Sequence, residues 1–462
     1  MDINEILQLD FEKALGQLCK DPRELDKNIT ENRDAYNGKH AILDDPDRKP
    51  KSVGDTPAAK RTVTPTNETI NFQKLIVNSA VTFLFGVPIT IVLINEQDKA
   101  FALINTEWKL NKLDYFNREL ARDLFVECKV AELWYIPTKE VGKDARIRVT
   151  LLSERTGYKI YPHFDTMGDM DAFTVKYEIE DKEGKPVENV DIYTAEKRIH
   201  AEKTTSGWDP IVNANILGKI PIVYYQQDVA EWDDVKTQIN RAEYLLSNFA
   251  DTNQYFGAPV LMIKGKVTNL PKKQEMGKVV VVESETNANT GEVSYPGGAE
   301  FVTWEHAPES LEMEYKMLKD IIYGNTQTPD LSFSNVKGLT AISGVTIRLM
   351  FSDAIFKAKD KQETFGPAME RRFSIIKSLL QLKYKKMEKQ IEETDIDIIF
   401  NDALPEDVES LIKSLSLARG GEPIMSEKTA AQLNPYVTDA EEEVKALQTE
   451  KGQSESLAGS FE

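Results

Sequence analysis

Ile342-Ser343-Gly344-Val345-Thr346-Ile347-Arg348-Leu349-Met350-Phe351-Ser352-Asp353-Ala354-Ile355-Phe356 opens a stretch that reads as helix to Gln390, interrupted at Gly366-Pro367. Proline inside a helix removes one backbone hydrogen bond and crowds the preceding turn, so a kink is expected there. The two arms together span about 70 Å, more than the diameter of a small domain, so the helix has to brace something larger. Its first arm carries two apolar stripes. Val345, Leu349 and Phe356 form one, and Ile347, Phe351 and Ile355 the other, about 140° apart around the axis. A surface helix needs only one such stripe. A helix buried in its own domain produces two, and so does a subunit that touches a neighbour on either side in a closed ring.

Working outward from this helix, the pattern before it is mixed. Residues 1–36 read as two short helices around Asp21-Pro22, with Asp21 as N-cap and Pro22 in the first turn. Residues 44–66, rich in Asp, Pro and Lys, read as an exposed loop. A helix from about Glu68 stops at Gly86 with Pro88 just beyond. Residues 100–125 are helical by periodicity. From Glu127 to Tyr225 alternation takes over, with strands expected at Val130–Ile136, Ile147–Leu152, Tyr158–Tyr161, Phe173–Ile179, Val190–Thr194 and Ile220–Tyr225. A helix then starts near Asp233, with Ile239, Ala242, Leu246 and Phe249 on one face. About fifty residues containing the strand-like runs Val260–Ile263 and Val279–Glu283 follow. Helix returns at Pro308, with Leu311, Tyr315, Leu318 and Ile322 on one face. A polar loop runs from Asn325 to about Ala341. After the long helix, Ile396, Ile398 and Phe400 alternate with Asp395, Asp397 and Asn401 as a strand. A short helical segment follows, and an acidic tail from Asp439 is expected to fray. The fold class is α+β.

Composition narrows the function. The chain has 462 residues, 41% hydrophobic and 29% charged, with a formal net charge of −19. That charge argues against a sequence-reading DNA binder, which needs clustered Lys and Arg. It suits a conduit whose wall lets a polyanion slide without sticking, and it equally suits plain solubility. No apolar stretch is long enough to cross a membrane, and the first residues lack signal-peptide features. Cys19 and Cys128, the two cysteines, read as unexposed thiols rather than a disulfide.

Enzyme constellations are missing. No phosphate-cradling G-x-x-x-x-G-K-[ST] occurs, which counts against a packaging ATPase. His40, His163, His200 and His306 lack metal-ligand spacing and read as surface or structural histidines. Asp395 and Asp397 share a strand face and could hold Mg²⁺ only if a third carboxylate converged. A solvated sheet face is the plainer reading. No G-x-S-x-G appears. No catalytic residue, metal site or cofactor is expected.

The order of elements resembles the portal proteins of siphophage-type tailed double-stranded DNA phages, over about Tyr36 to Glu443. Short stretches carry the resemblance in order. They are Ala35-Tyr36-Asn37-Gly38-Lys39-His40, the helix end Asn78 to Pro88 with its F-G-x-P stop, and Gly218-Lys219-Ile220-Pro221-Ile222-Val223. Leu246-Ser247-Asn248-Phe249-Ala250-Asp251, Ser343-Gly344-Val345-Thr346 and Met425 to Ala430 followed by Pro435 to Glu443 complete the series. The resemblance implies a mixed α/β wing over 1–233, stem helices at 234–255 and 308–325, and a small α/β clip at 256–307. It further implies a tunnel loop at 326–341, the long kinked helix at 342–391, a wing strand with a short crown at 392–438, and a tail at 439–462. It implies a homo-oligomeric ring of about twelve subunits at the capsid vertex of the virion, assembled in the host cytoplasm. The ring would package and eject DNA and join head to tail. Implied partners are double-stranded DNA held non-specifically, the large terminase, a head-tail adaptor and the major capsid or scaffold protein, with no membrane. Ser334, Asn335 and Lys337 in the tunnel loop are the residues expected to meet DNA, through weak backbone contacts. Gly366 and Pro367 would turn the long helix outward into the wing. The alternatives are another head-tail ring component, a metal-dependent nuclease using Asp395 and Asp397, or a host protein with a helical brace.

Overall fold

The computed structural model describes residues 3–20, 25–53, 61–137, 145–256, 260–264, 266–269, 281–283, 285–286, 293–295, 298–302, 308–330, 348–404, 408–420, 424–434, 436–437 and 442–449. The fold is α+β, and it is organised around the helix Ser352–Lys383. One face of this helix buries Ala354, Ala358, Phe365, Met369, Phe373, Ile376 and Leu380. Spacings of three, four and seven along a helix keep these residues on one side. They pack against the helix Phe72–Phe85, the helix Asp98–Leu110 and a three-stranded sheet. Phe365 sits among Phe85, edge-on at 5.0 Å, Tyr225 at 5.3 Å and Phe125 at 6.4 Å. Trp108 stacks on Phe373 at 5.7 Å.

The interruption of the helix expected at Gly366-Pro367 is absent. The helix runs through both residues. Pro367 lies on the exposed side, where the Glu363 carbonyl that loses its helical donor can turn to water. Buried Phe365, Ala368 and Met369 hold the turn from the other side. The helix also ends earlier than expected, at Lys383, and resumes as the short helix Glu388–Glu393 after a 3-10 turn at Lys385–Met387. The two expected stripes are not the core stripe. Leu349 and Phe356 are 69% and 56% exposed. Phe351 and Ile355 are half-buried, and Phe351 touches Phe83 with ring centroids 5.9 Å apart. The burial-in-its-own-domain account therefore fails for Leu349 and Phe356. Val345 and Ile347 lie outside the described residues, as does the N-cap expected at Asp21.

The Gly86 stop is as expected, with the helix ending at Phe85. The single helix expected over 100–125 is two, Asp98–Leu110 and Leu113–Glu127, separated by Lys112 in the left-handed region at φ 52°. The Asn111 side chain fixes the corner by donating to the carbonyls of Glu107 and Ile147. The leading segment likewise divides, into Ile3–Ile6 and Phe11–Leu18.

Two antiparallel sheets follow. Lys129–Tyr135 is central between Ile222–Gln226 and Arg148–Leu152. The second sheet is a five-strand meander, from Tyr158–Phe164 through Met170–Glu180, Pro186–Thr194 and Lys197–Thr204 to the edge strand Gly207–Ala214. Its last two strands escape the sequence pattern, because Lys197–Thr204 carries only Ile199 and Ala201 as apolar residues and Gly207–Ala214 contains Pro210 and adjacent rather than alternating Ile211 and Val212. Ile396–Ile399 is a strand with Asp397 exposed, as expected, and it pairs antiparallel with Thr90–Leu93. Cys128 is buried, and its thiol is pushed up to about 12 by burial and then by nearby acidic groups. Cys19 is half-buried, and neither forms a disulfide. Residues 442–449 are helical, and the rest of the tail from Asp439 lies outside the described residues. Strong helix formers with Glu442 and Lys445 three apart account for the helix.

Candidate functional site

Two helices, Lys236–Phe256 and Pro308–Asn325, lie side by side and bracket the 260–302 ladders. The outer ladder pairs Val260–Lys264 with Gly298–Val302, so the insertion leaves and returns at one place. Arg241 joins the helices by donating from Nε and Nη2 to Glu314 Oε1 at 2.9 and 2.7 Å. Ile239 and Ala242 are buried while Leu246 and Phe249, on the same expected face, are half-buried. The first helix is therefore seated in the body at its start. The second is seated at its end, where Ile322 is buried and Leu311, Tyr315 and Leu318 are half-buried.

The turn after Asn325 is pinned. Thr326 and Thr328 are buried, with Gln327 between them in the left-handed region at φ 50°. Thr326 Oγ1 donates to the Ile322 carbonyl at 2.7 Å. Lys357 on the long helix donates to the Thr326 carbonyl at 2.8 Å and ion-pairs Glu231 at 3.1 Å. Lys361, one turn on, takes the other Glu231 oxygen at 2.9 Å. Burial alone would raise Glu231, but the two ammonium groups outweigh it and hold its pKa down. Lys319 pairs with Asp330 at 2.6 Å, so the chain enters residue 331 from a fixed root. Ser334, Asn335 and Lys337 lie beyond that root, outside the described residues.

Within the expected loop at 44–66, Lys51–Val53 pairs antiparallel with Arg61–Val63, and the segments that flank this ladder are strapped to the helix Lys236–Phe256. Glu243, Ser247, Asn248 and Asp251 on that helix present one polar stripe. Ile70 N–H donates to Glu243 at 2.9 Å, Glu68 N–H to Ser247 at 2.8 Å and Thr66 N–H to Asp251 at 2.6 Å. Arg48 donates to Asn248 and Asp251, each at 2.6 Å. No periodicity in the sequence announces this, because each partner lies well over a hundred positions away.

His40, read from sequence as a surface or structural histidine, is buried with Nδ1 against the Glu243 carboxylate and Nε2 2.9 Å from the Ala35 carbonyl. A carboxylate and a carbonyl are both acceptors, so the site favours the imidazolium form, in which both ring nitrogens donate. Burial alone would lower its pKa, but the Glu243 hydrogen bond and charge and the Ala35 carbonyl raise it overall. A raised folded-state pKa stabilises fully below the unfolded value of about 6.5 and is lost as pH rises through the folded value. Thermal unfolding of the wild type across that window should therefore fall more steeply with pH than that of Glu243→Gln. Parallel profiles would remove His40 as the cause. His163 and His200 pair with Asp171 and Asp191 and are half-buried, and His306 lies outside the described residues.

Asp395 and Asp397 acquire no third ligand: among the described residues no three metal-ligating side chains converge. Asp397 Oδ1 accepts the Ile398 N–H, and the strand Ile396–Ile399, which starts just after Asp395, pairs with Thr90–Leu93. Among the described residues no helix is long and apolar enough to cross a membrane.

Two paired helices bracket a small insertion and are tied to the long helix by Lys357. The family model for phage portal protein, SPP1 Gp6-like, matches residues 20–456, and the chain belongs to that family. It is a phage portal protein, of a family that is structural rather than enzymatic and forms an oligomeric ring at the capsid vertex of the virion, where the genome is packaged. Comparison with curated proteins gives no match.

Proposed function

We propose that the helix pair Lys236–Phe256 and Pro308–Asn325 is the stem lining the DNA channel, in a ring of about twelve subunits. The insertion 256–307 is the clip, which meets the large terminase during packaging and the head-tail adaptor afterwards. Residues 326–341 form the tunnel loop, whose Ser334, Asn335 and Lys337 touch the DNA backbone without reading sequence. The ring forms in the host cytoplasm with the scaffold or major capsid protein, and the protein has no catalytic role.

One observation carries this reading. Apolar side chains stand uncovered on the elements that a ring would bring together. Met313, Met317 and Ile321, spaced by one helical turn, are 65%, 58% and 39% exposed on the second helix of the pair. Leu349 and Met350, just before the long helix, and Phe356, in its first turns, are 69%, 51% and 56% exposed. Contiguous apolar surface of this kind marks protein contacts, and a ring subunit needs two such faces. In this reading Leu349 and Phe356, with Val345, Phe351, Ile347 and Ile355, pack against neighbouring subunits. The anchored root at Thr326 supports a loop aimed from a fixed base.

Negative-stain images and native mass spectra of the purified chain test this directly. Closed rings of about twelve or thirteen subunits are expected, and Leu349→Asp with Phe356→Asp should leave folded monomers. A chain that stays monomeric even with scaffold and capsid protein supplied would overturn the ring. Intact rings from the double variant would move the contact elsewhere.

A further inference from the structure

The helix Leu113–Glu127 packs on the helix Leu25–Tyr36, and beside them lies an open cleft of about 480 Å³. Four arginines line it, Arg33, Arg118, Arg122 and Arg155, on a chain whose net charge is −19. Three carboxylates face the same cleft, and each is already engaged. Glu127 pairs with Arg33 at 3.4 Å and accepts the N–H groups of Glu154 and Arg155 at 2.7 and 2.9 Å. Asp123 accepts from Arg155 Nε and Ser153 Oγ, both at 2.8 Å. Glu119 takes Arg155 Nη2 at 2.5 Å.

Arg118 and Arg122 remain. They lie one helical turn apart, both half-buried, and among the described residues neither forms an ion pair. Arg118 Cζ lies 4.9 Å from the centre of the Tyr115 ring. Arg122 hydrogen-bonds the Tyr36 hydroxyl, which as acceptor keeps its own proton free to donate. Burial, followed by the Asp123 charge, raises Glu127 to about 7, so near neutral pH the cleft carries less than its full complement of negative charge.

We propose that this cleft binds a phosphoryl oxyanion, held between the guanidinium groups of Arg118 and Arg122 with the Tyr36 hydroxyl as a third donor. Two planar guanidiniums present several fixed N–H donors, which match an anion with several oxygens and more than one charge better than a lone carboxylate. The cleft has room for a pyrophosphate or for a phosphodiester with its flanking sugar. The two sources share one chemistry, and the inference does not depend on ring formation.

Calorimetric titration of the full-length protein tests it with two probes, sodium pyrophosphate and a short DNA duplex at the same ionic strength. Saturable binding of at least one probe is expected. It should weaken by at least about tenfold in Arg118→Gln with Arg122→Gln, while the thermal midpoint stays unchanged. Arg118→Lys with Arg122→Lys, which keeps the charge but loses the paired donors, should fall between. Pyrophosphate binding alone identifies a free anion as the ligand. Duplex binding that pyrophosphate displaces and the Gln variant abolishes identifies the phosphodiester. Absence of both, binding indifferent to the Gln variant, or citrate binding as tightly as pyrophosphate would overturn the site.

Discussion

Arg372→Ala should destabilise the folded chain by about 3–5 kcal/mol, the range for stranding one member of a buried ion pair. Arg372 and Glu132 are both fully buried. Arg372 donates from Nε and Nη2 to the Glu132 carboxylate at 2.8–3.0 Å and from Nη1 to Asn117 at 2.7 Å. The Tyr225 hydroxyl accepts from Arg372 at 3.2 Å and donates to Glu132 at 3.3 Å. The indole of Trp108 and the ring of Phe116 lie against the guanidinium at 5.8 and 5.9 Å. Removing the cation leaves a buried carboxylate without its counter-charge. Removing both partners does not, so Glu132→Leu with Arg372→Met should cost much less than the sum of the single changes. Urea unfolding of the four proteins measures this. Additive losses would mean that the pair is not a unit.

Phe365→Ala should cost a similar amount, about 3–5 kcal/mol, by opening a cavity. Phe365 is 1% exposed and contacts Phe85, Phe125 and Tyr225. These come from three different elements, and no single one can shift to fill the void without disturbing the others. Phe356→Ala, nine residues earlier on the same helix, should change monomer stability by no more than about 0.5 kcal/mol because its side chain is largely in water. If the ring reading holds, Phe356→Ala weakens assembly where Phe365→Ala weakens folding. Equal effects of the two on urea midpoints would contradict the burial that separates them.

The difference between these two phenylalanines marks where sequence reading reached its limit. Periodicity located the long helix but assigned its outer stripes from residues near its start. The buried face begins at Ala354 and is built from two alanines, five large apolar residues, Phe365, Met369, Phe373, Ile376 and Leu380, and one arginine, Arg372. An arginine inside an apolar face looks like an error in the pattern until Glu132, 240 positions away, is placed opposite it. His40 behaves in the same way, since nothing near it in sequence marks Glu243 as its partner.

The sequence by itself determined what depends on neighbours along the chain: the α+β class, the stop at Gly86, the alternating strands, the insertion between two helices and the membership of a family recognised by the order of its elements. Backbone preference and side-chain period act over a few residues, so they are legible in one dimension. Only the tertiary structure decided the continuity of the helix through Pro367, the strap on the paired helices, the pairing of Thr90–Leu93 with Ile396–Ile399, and which charges lie buried. Each of these joins groups far apart in the chain. A polar or charged side chain is stable in the interior only where the fold supplies a specific partner, and that partner is a property of the packing rather than of the residue.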